Sequence, residues 1–379
     1  MMTKKILFFF PENPFSNRAG NVTRAKTNLT ILNKLGYEID LAGIEDIYKG
    51  MGDHMDFDRN LVDKLFLLNR RPKKKIVSLE YWKYKFITSK YKSASNKLLT
   101  GYIKENFKKI FEAKKYDYVI INYEYWAGLI DDELPGNPVK IVDTHDWITL
   151  NEFYKNPSLK IGERFEEEIN NLAKFDKVIT ISNDENFVFR GFLGDKVVNI
   201  PPSFPSHFSS DSEKKYDLIF VGSDNVFNVK SIKWFFQKVY TLLPDNISIV
   251  IIGRVCRHLD KVENIEYVEF AETLDEYYHQ SKLAICPMLE GTGIKIKVIE
   301  ALSYTLPVVG TERAIDGFAS KRTNGCLVND NPEIFKENIL SLLQNESFYQ
   351  KVKAEATDYF KENFSEENAI EKWRNILTL

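Results

Sequence analysis

The stretch Leu283 to Phe318, LAICPMLEGTGIKIKVIEALSYTLPVVGTERAIDGF, limits the fold of this chain more than any other. An apolar run, 283–286, stops at Pro287, a Gly-Thr-Gly turn occupies 291–293, and a helical pattern follows that carries Lys295, Lys297 and Glu300. The order is strand, turn, helix, strand. Ile294, Val298, Ala301 and Leu302 recur at helical spacing and form an inward stripe, which leaves Lys297 and Glu300 on another face. At a helix N-terminus the unpaired N–H groups and the dipole favour an anion, and two glycines let it approach the backbone. The dipole supplies ~0.3–1 kcal/mol and a charge-assisted bond from a lysine about 1.5–3 kcal/mol, so an organic phosphate suits this turn. A carboxylate one turn further in repels phosphate but accepts ribose hydroxyls. Phosphate plus diol indicates a nucleotide. Taken in isolation, the same residues also suit a plain βα turn with a solvated helical pair. A Walker loop is excluded, because the Gly-Lys-Ser/Thr ending is missing.

A chain of 379 residues with 44% hydrophobic content exceeds one core and points to two domains. A formal net charge of −2 argues against a general nucleic-acid coat. Cys256, Cys286 and Cys326 are widely separated, have no zinc spacing and read as buried thiols of a reducing cytoplasm. The five apolar residues before Pro11 are too few for a signal peptide, and no run has the length of a membrane span. A cytoplasmic location follows, with a peripheral position at the inner face of a membrane left open.

The N-terminal half opens as a βαβ unit: a strand over 5–10, a helix with Val22, Ala25, Leu29 and Leu32 on its apolar face, and a strand over 37–42. This predicts a parallel doubly wound sheet with its ligand crevice at the carboxyl ends of the strands. The loop after the first strand borders that crevice and offers Asn17, Arg18 and Gly20; a turn with a solvated arginine fits the same residues. From Ile44 to Ser95 the alternation breaks down, and residues 69–97 hold ten lysines and arginines against one acid, Glu80, interleaved with Tyr81, Trp82, Tyr84, Phe86 and Tyr91. Such a patch suits anionic lipid headgroups or an anionic acceptor. A solvated insertion with a small aromatic core is the plainer alternative.

Further strands are predicted over 118–121, 139–142, 177–181 and 196–200. After the first of these comes Asn122 to Trp126, where Glu124, Tyr125 and Trp126 could receive a sugar, although aromatic clusters are more often core. After the second, His145 stands between Thr144 and Asp146, with Asp143 two residues before it. Flanking carboxylates would orient its ring and raise its pKa, as a positioned base or donor requires. Prolines and serines between 201 and 212 mark a linker, and a second domain opens with a strand over 217–221. Three helical patterns close the chain from Pro332 onward.

The stretch 283–318, with TLPVVGT and AIDGF at matching spacing, resembles the C-domain signature of the retaining, nucleotide-sugar-dependent glycosyltransferases of the GT-B fold, family four. The resemblance implies two Rossmann-like domains facing each other across a cleft. They are a 1–205 acceptor-side domain with an insertion at about 45–97, and a 213–360 nucleotide-sugar domain. Residues 361–379 are a helix crossing back to the first. It implies that Glu300 holds the donor ribose and that Gly291, Thr292 and Gly293 face sugar and pyrophosphate. The second family glutamate falls in register on Thr292, with Glu290 two residues too early. FVGSDNVFNVKSIKWFF resembles the first C-domain loop, which meets the phosphates. Many members carry an arginine where Ser223 follows Gly222; here Lys230, Arg254, Lys295 or Lys297 would supply the charge. Residues 268–274 resemble the segment that reads the base. A histidine at the place of His145 lies near the transferred sugar in similar enzymes, so His145 and Glu290 are the catalytic candidates. The implied activity is sugar transfer from a nucleotide sugar to a glycan or lipid-linked acceptor in bacterial-type surface polysaccharide or glycoconjugate synthesis. No metal or further cofactor is implied, no nucleic acid is expected as partner, and membrane contact is expected through 70–97. A nucleotide-sugar isomerase and a non-catalytic GT-B scaffold remain the alternatives.

Overall fold

The computed structural model describes residues 3–16, 20–50, 57–72, 79–86, 90–91, 96–208 and 212–378. They divide into a first unit of 1–200 plus 370–379 and a second of 201–369.

The first unit is built on seven strands: β1 (Lys5–Phe9), β2 (Glu38–Ile44), β3 (Lys64–Leu68), β4 (Tyr118–Asn122), β5 (Val139–Asp143), β6 (Lys177–Thr180) and β7 (Val197–Asn199). They pair in the order β3, β2, β1, β4, β5, β6, β7, all parallel. Helices cover both faces of such a sheet, so its central strands read as unbroken apolar runs; Ile6 to Phe9 and Val119 to Ile121 are fully buried. The order reverses between β1 and β4, which places the topological switch at their carboxyl ends.

The expected irregular insertion is partly regular. It holds a short helix, Glu45–Gly50, the edge strand β3 and the helix Leu79–Phe86. Strand β3 escapes sequence reading because its side chains are mostly half-exposed, as at a sheet edge.

The second unit repeats the plan with β8 (Tyr216–Val221), β9 (Ile249–Ile252), β10 (Ile265–Val268), β11 (Ser281–Cys286), β12 (Val308–Gly310) and β13 (Cys326–Val328). Their order is β10, β9, β8, β11, β12, β13, again all parallel, with the switch between β8 and β11. Alternate residues of these strands feed two cores. Ile219, Val250 and Cys286 pack with Val298, Ala301 and Leu302 on one face; Phe220, Ile251 and Ile285 pack with Ile232 and Phe235 on the other. The linker prolines belong to this unit, where Phe204 N–H donates to Phe364 O at 3.0 Å and His207 N–H to Ser303 O at 2.9 Å.

The three closing helices are Pro332–Gln344, Glu346–Asn363 and Glu366–Leu377. The last returns to the first unit: Trp373 is fully buried and its Nε1–H donates to Asn28 Oδ1 at 3.3 Å, while the Tyr118 hydroxyl donates to Leu377 O.

Candidate functional site

Three loops leave the carboxyl edge of the second sheet beside one another, after β9, β8 and β11. The first two cross at glycine. Gly253 has φ +107°, and a Cβ there would lie 2.2 Å from Gly222 O. The β11 loop turns at Gly291 and Gly293, whose φ values of +102° and +73° exclude most side chains. The helix behind it is Ile296–Ser303, so Ile294 precedes the helix and Lys295 is its N-cap residue. This later start changes the role of Lys295. Its buried ammonium donates to Gly293 O at 2.7 Å and Gly291 O at 3.3 Å and faces Asp316 at 3.4 Å. It locks the turn from within, a correction to its expected place among the phosphate cations.

Lys297 is the cation that remains inside the loop junction. Its Nζ donates to Asn228 Oδ1 at 2.7 Å and lies 4.5 Å from the centre of the Phe220 ring. Asn228 Nδ2 in turn donates to Ser223 O at 3.1 Å and Ser223 Oγ at 3.2 Å, so one amide ties the β8 loop to the first turn of the helix Ile296–Ser303. Burial pushes the Lys297 ammonium down to about 8. The other two expected cations are exposed and already paired: Lys230 with Glu290, and Arg254 with Asp224 at 3.1 Å. Gly291, Thr292 and Gly293 form the half-buried rim of the turn.

Glu300 sits one turn inside the helix and accepts a hydrogen bond from the Tyr278 hydroxyl at 3.0 Å. Burial raises its pKa above the ordinary carboxylate value. Behind it lies a cluster that sequence reading missed. Tyr278 stacks on Tyr304 at 4.7 Å, Tyr304 on His207 at 4.4 Å, and Asp275 pairs with His207 at 3.2 Å and accepts from Tyr304. His207 therefore has partners that its loop context concealed.

In the first unit, β4 and β5 are in register at Asn122 and Asp143. Asn122 Nδ2 donates to Phe9 O at 2.7 Å, which leaves Oδ1 to accept, 2.6 Å from His145 Nε2. This network assigns the ring proton to Nε2 and the lone pair to Nδ1, which is buried with no hydrogen-bond partner among the described residues. The backbone of His145 is held at φ +62°, a conformation costing about 1–3 kcal/mol. Tyr123 at 4.5 Å and Phe10 at 5.7 Å stack on the ring.

The electrostatics of His145 reverse the expectation. Asp143, 3.8 Å from Nε2, is engaged by Arg24 at 2.8 Å and by Asn28 at 2.8 Å. Burial therefore outweighs the carboxylate and pulls the imidazolium down to about 4, so the ring is neutral at pH 7. Arg24 and Asn28 stand four residues apart on the helix Gly20–Lys34. Their only trace in sequence is a polar pair among core-facing positions.

Two acceptor-side candidates are corrected. Glu124 is fully buried, with Arg164 at 2.5 Å and Asn171 at 2.7 Å on its two oxygens, and Trp126 is core, packed on Phe9 at 5.1 Å. Burial lifts the Glu124 carboxyl to about 7 despite Arg164. Tyr125 stays half-buried, stacked on Tyr123 at 5.1 Å, and Gly20 is the exposed first residue of its helix. Asn17 and Arg18 lie outside the described residues, as do Lys73, Lys74, Lys75 and Lys92 of the basic segment.

Among the described residues, Glu38, Asp40 and Asp63 form the one grouping with ligand atoms close enough for a metal. The Lys114 ammonium already bridges it, at 2.7 Å from Glu38 and 2.6 Å from Asp40.

Residues 215–345 match the family model described as glycosyl transferases group 1. Sucrose-phosphate synthase from Thermosynechococcus elongatus superposes with a TM-score of 0.70 at 12% identity, over 99% of this chain and 98% of that one. HepE of Anabaena in complex with UDP-glucose superposes with a TM-score of 0.67 at 11% identity, over 99% and 100%. A 44.6 kDa protein in the cps region of Klebsiella pneumoniae is 23% identical over 287 residues, which are 66% of this chain and 71% of that protein. Two doubly wound parallel units, full-length superposition and the family match lead to one conclusion: the chain has the GT-B fold, and its residues 215–345 match the model of the group 1 glycosyl transferases.

Proposed function

We propose that this chain is a retaining glycosyltransferase that moves a hexosyl or related sugar from a nucleotide sugar to a glycan or lipid-linked acceptor, in surface polysaccharide or glycoconjugate synthesis. The observation that carries the reading is the junction of Lys297, Asn228 and Ser223, which holds a part-buried ammonium one turn before Glu300, on the helix that follows two positive-φ glycines. In this reading Lys297 and the amides of 291–293 meet the diphosphate, and Glu300, oriented by Tyr278, takes the ribose hydroxyls. Arg254 and Lys230 join by exchanging Asp224 and Glu290 for phosphate oxygens. In the first unit the neutral ring of His145 presents Nδ1 as an acceptor for a ligand hydroxyl.

The bond from sugar C1 to the diphosphate oxygen breaks, and a bond from C1 to the acceptor oxygen forms on the same face. The acceptor's hydroxyl proton passes to the leaving diphosphate. What the protein contributes is positive charge and aligned amides where negative charge develops, the largest electrostatic demand of such a transfer. The reading uses no metal and no cofactor besides the donor. The description of HepE with UDP-glucose and the cps-region relative support donor class and pathway type.

A thermal-shift screen with UDP-, GDP-, ADP-, CMP- and dTDP-sugars tests it, since a ligand at 100 times its dissociation constant stabilises by about 2.7 kcal/mol. We expect one nucleotide class to raise the melting temperature and Glu300→Ala to abolish that shift while remaining folded. No shift with any donor, or a full shift in Glu300→Ala, overturns the assignment. Conversion of the donor without added acceptor would identify an isomerase instead.

A further inference from the structure

We infer that the helix Leu79–Phe86 is a docking surface for anionic membrane lipid. Leu79, Trp82 and Phe86 are spaced i, i+3 and i+7, which places them on one helical face. That face is turned outward: the three side chains are 88%, 38% and 57% exposed. A surface helix of a globular protein directs its apolar stripe to the core, so this helix is inverted. Other residues of the helix hold it to the body. Tyr84 meets the Tyr102 ring at 6.0 Å, and Lys83 pairs with Glu105 at 3.0 Å.

The chemistry of the outward face selects the partner. The rings of Trp82 and Phe86 stack at 5.7 Å with 10° between their planes, and the Lys85 ammonium lies 5.1 Å and 5.8 Å from their centres. An aromatic slab capped by an ammonium fits the headgroup level of a bilayer, where rings rest among the upper acyl carbons and the cation reaches phosphate oxygens. Charge distribution agrees. Residues 69–97 carry ten cations against one acid in a chain of net charge −2, so the remainder of the molecule is acidic. An anionic bilayer therefore attracts this segment and repels the rest, which orients the docked protein. Single-stranded nucleic acid also offers phosphates and stacking partners. It makes no use of Leu79, the most exposed apolar side chain of the stripe.

The test is flotation of the full chain with vesicles of phosphatidylcholine alone or mixed with phosphatidylglycerol, at low and high salt. We expect capture by the mixed vesicles at least tenfold above phosphatidylcholine alone, weakened by salt. The triple variant Leu79→Ser, Trp82→Ser, Phe86→Ser should lose at least tenfold of it with an unchanged melting temperature, and Lys85→Glu should lose part. Equal capture of the triple variant, no preference for anionic vesicles, or binding to a single-stranded oligonucleotide without binding to vesicles overturns the inference. The readout needs no sugar donor, so its failure leaves the donor reading standing, and failure of the donor screen leaves this one standing.

Discussion

Lys297 shows how a single residue's setting decides its chemistry. The partners on its ammonium, an amide oxygen and a phenyl face, are neutral, so burial dominates and the pKa falls from the ordinary lysine value to about 8. The folded pKa is depressed, so the charge is present below pH 8 and lost as pH rises through it. A bound diphosphate favours the charged form. Nucleotide-sugar affinity should therefore be level from pH 6 to 7 and weaken roughly tenfold by pH 9.5, the loss of one charge-assisted bond worth about 1.5–3 kcal/mol. Lys297→Arg, charged throughout, should flatten the profile. Calorimetric titration across that range measures both, and a level wild-type profile would remove Lys297 from the phosphate. Spacing alone placed Lys297 and Glu300 on one helical face. It left Lys295 as an alternative to Lys297 for the phosphate, because that choice depends on where the helix starts, and the N-cap at Lys295 turns its side chain into the loop. His145 was legible as a strand-end histidine. Its neutrality was not, since it follows from burial of the ring, with Asp143 beside it engaged by Arg24 from 119 residues away in the chain.

At the scale of elements, what positions the candidate residues is the tie between strand-end loops and the helices behind them. The β5 loop is bound to the helix Asn183–Leu193 by Glu185, which accepts from Thr144 Oγ1 at 3.1 Å and Ile181 N–H at 3.3 Å. Burial pushes the Glu185 carboxyl up to about 8. A raised folded pKa means that the folded state holds the proton more tightly. Its contribution to stability is complete below the ordinary carboxylate pKa near 4.5 and is lost as pH rises through about 8. Melting temperature should therefore fall between about pH 5 and 8 and level off above that. Glu185→Gln keeps an acceptor oxygen for Thr144 and Ile181 and should flatten that fall. Equal slopes for both proteins, by scanning calorimetry, would sink the argument. The strands themselves were legible because parallel strands buried on both faces appear as unbroken apolar runs. Strand β3 was not, because an edge strand needs no such run.

On the scale of the whole molecule, the first unit is discontinuous and the second is not. A chain ending at residue 369 loses Trp373, Ile376 and Leu377 from the first core, takes the indole donor from Asn28 Oδ1 and takes the Leu377 acceptor from the Tyr118 hydroxyl. Removing one buried tryptophan side chain alone costs about 3–5 kcal/mol. The second unit spans 201–369 without interruption and has two cores of its own. Truncation should lower the first unit's transition in calorimetry and leave the nucleotide-sugar thermal shift in place; an unmoved first transition would show that the returning helix contributes little. By itself the sequence determined where strands, turns and helices alternate, that there are two parallel sheets, and which turn suits a phosphate, because periodicity and glycine placement are local properties of the chain. Only the tertiary structure decided which charges face a ligand and which are engaged within the fold. Lys230 meets Glu290 across 60 residues and Arg164 meets Glu124 across 40, and a side chain's charge and availability depend on neighbours brought together by folding.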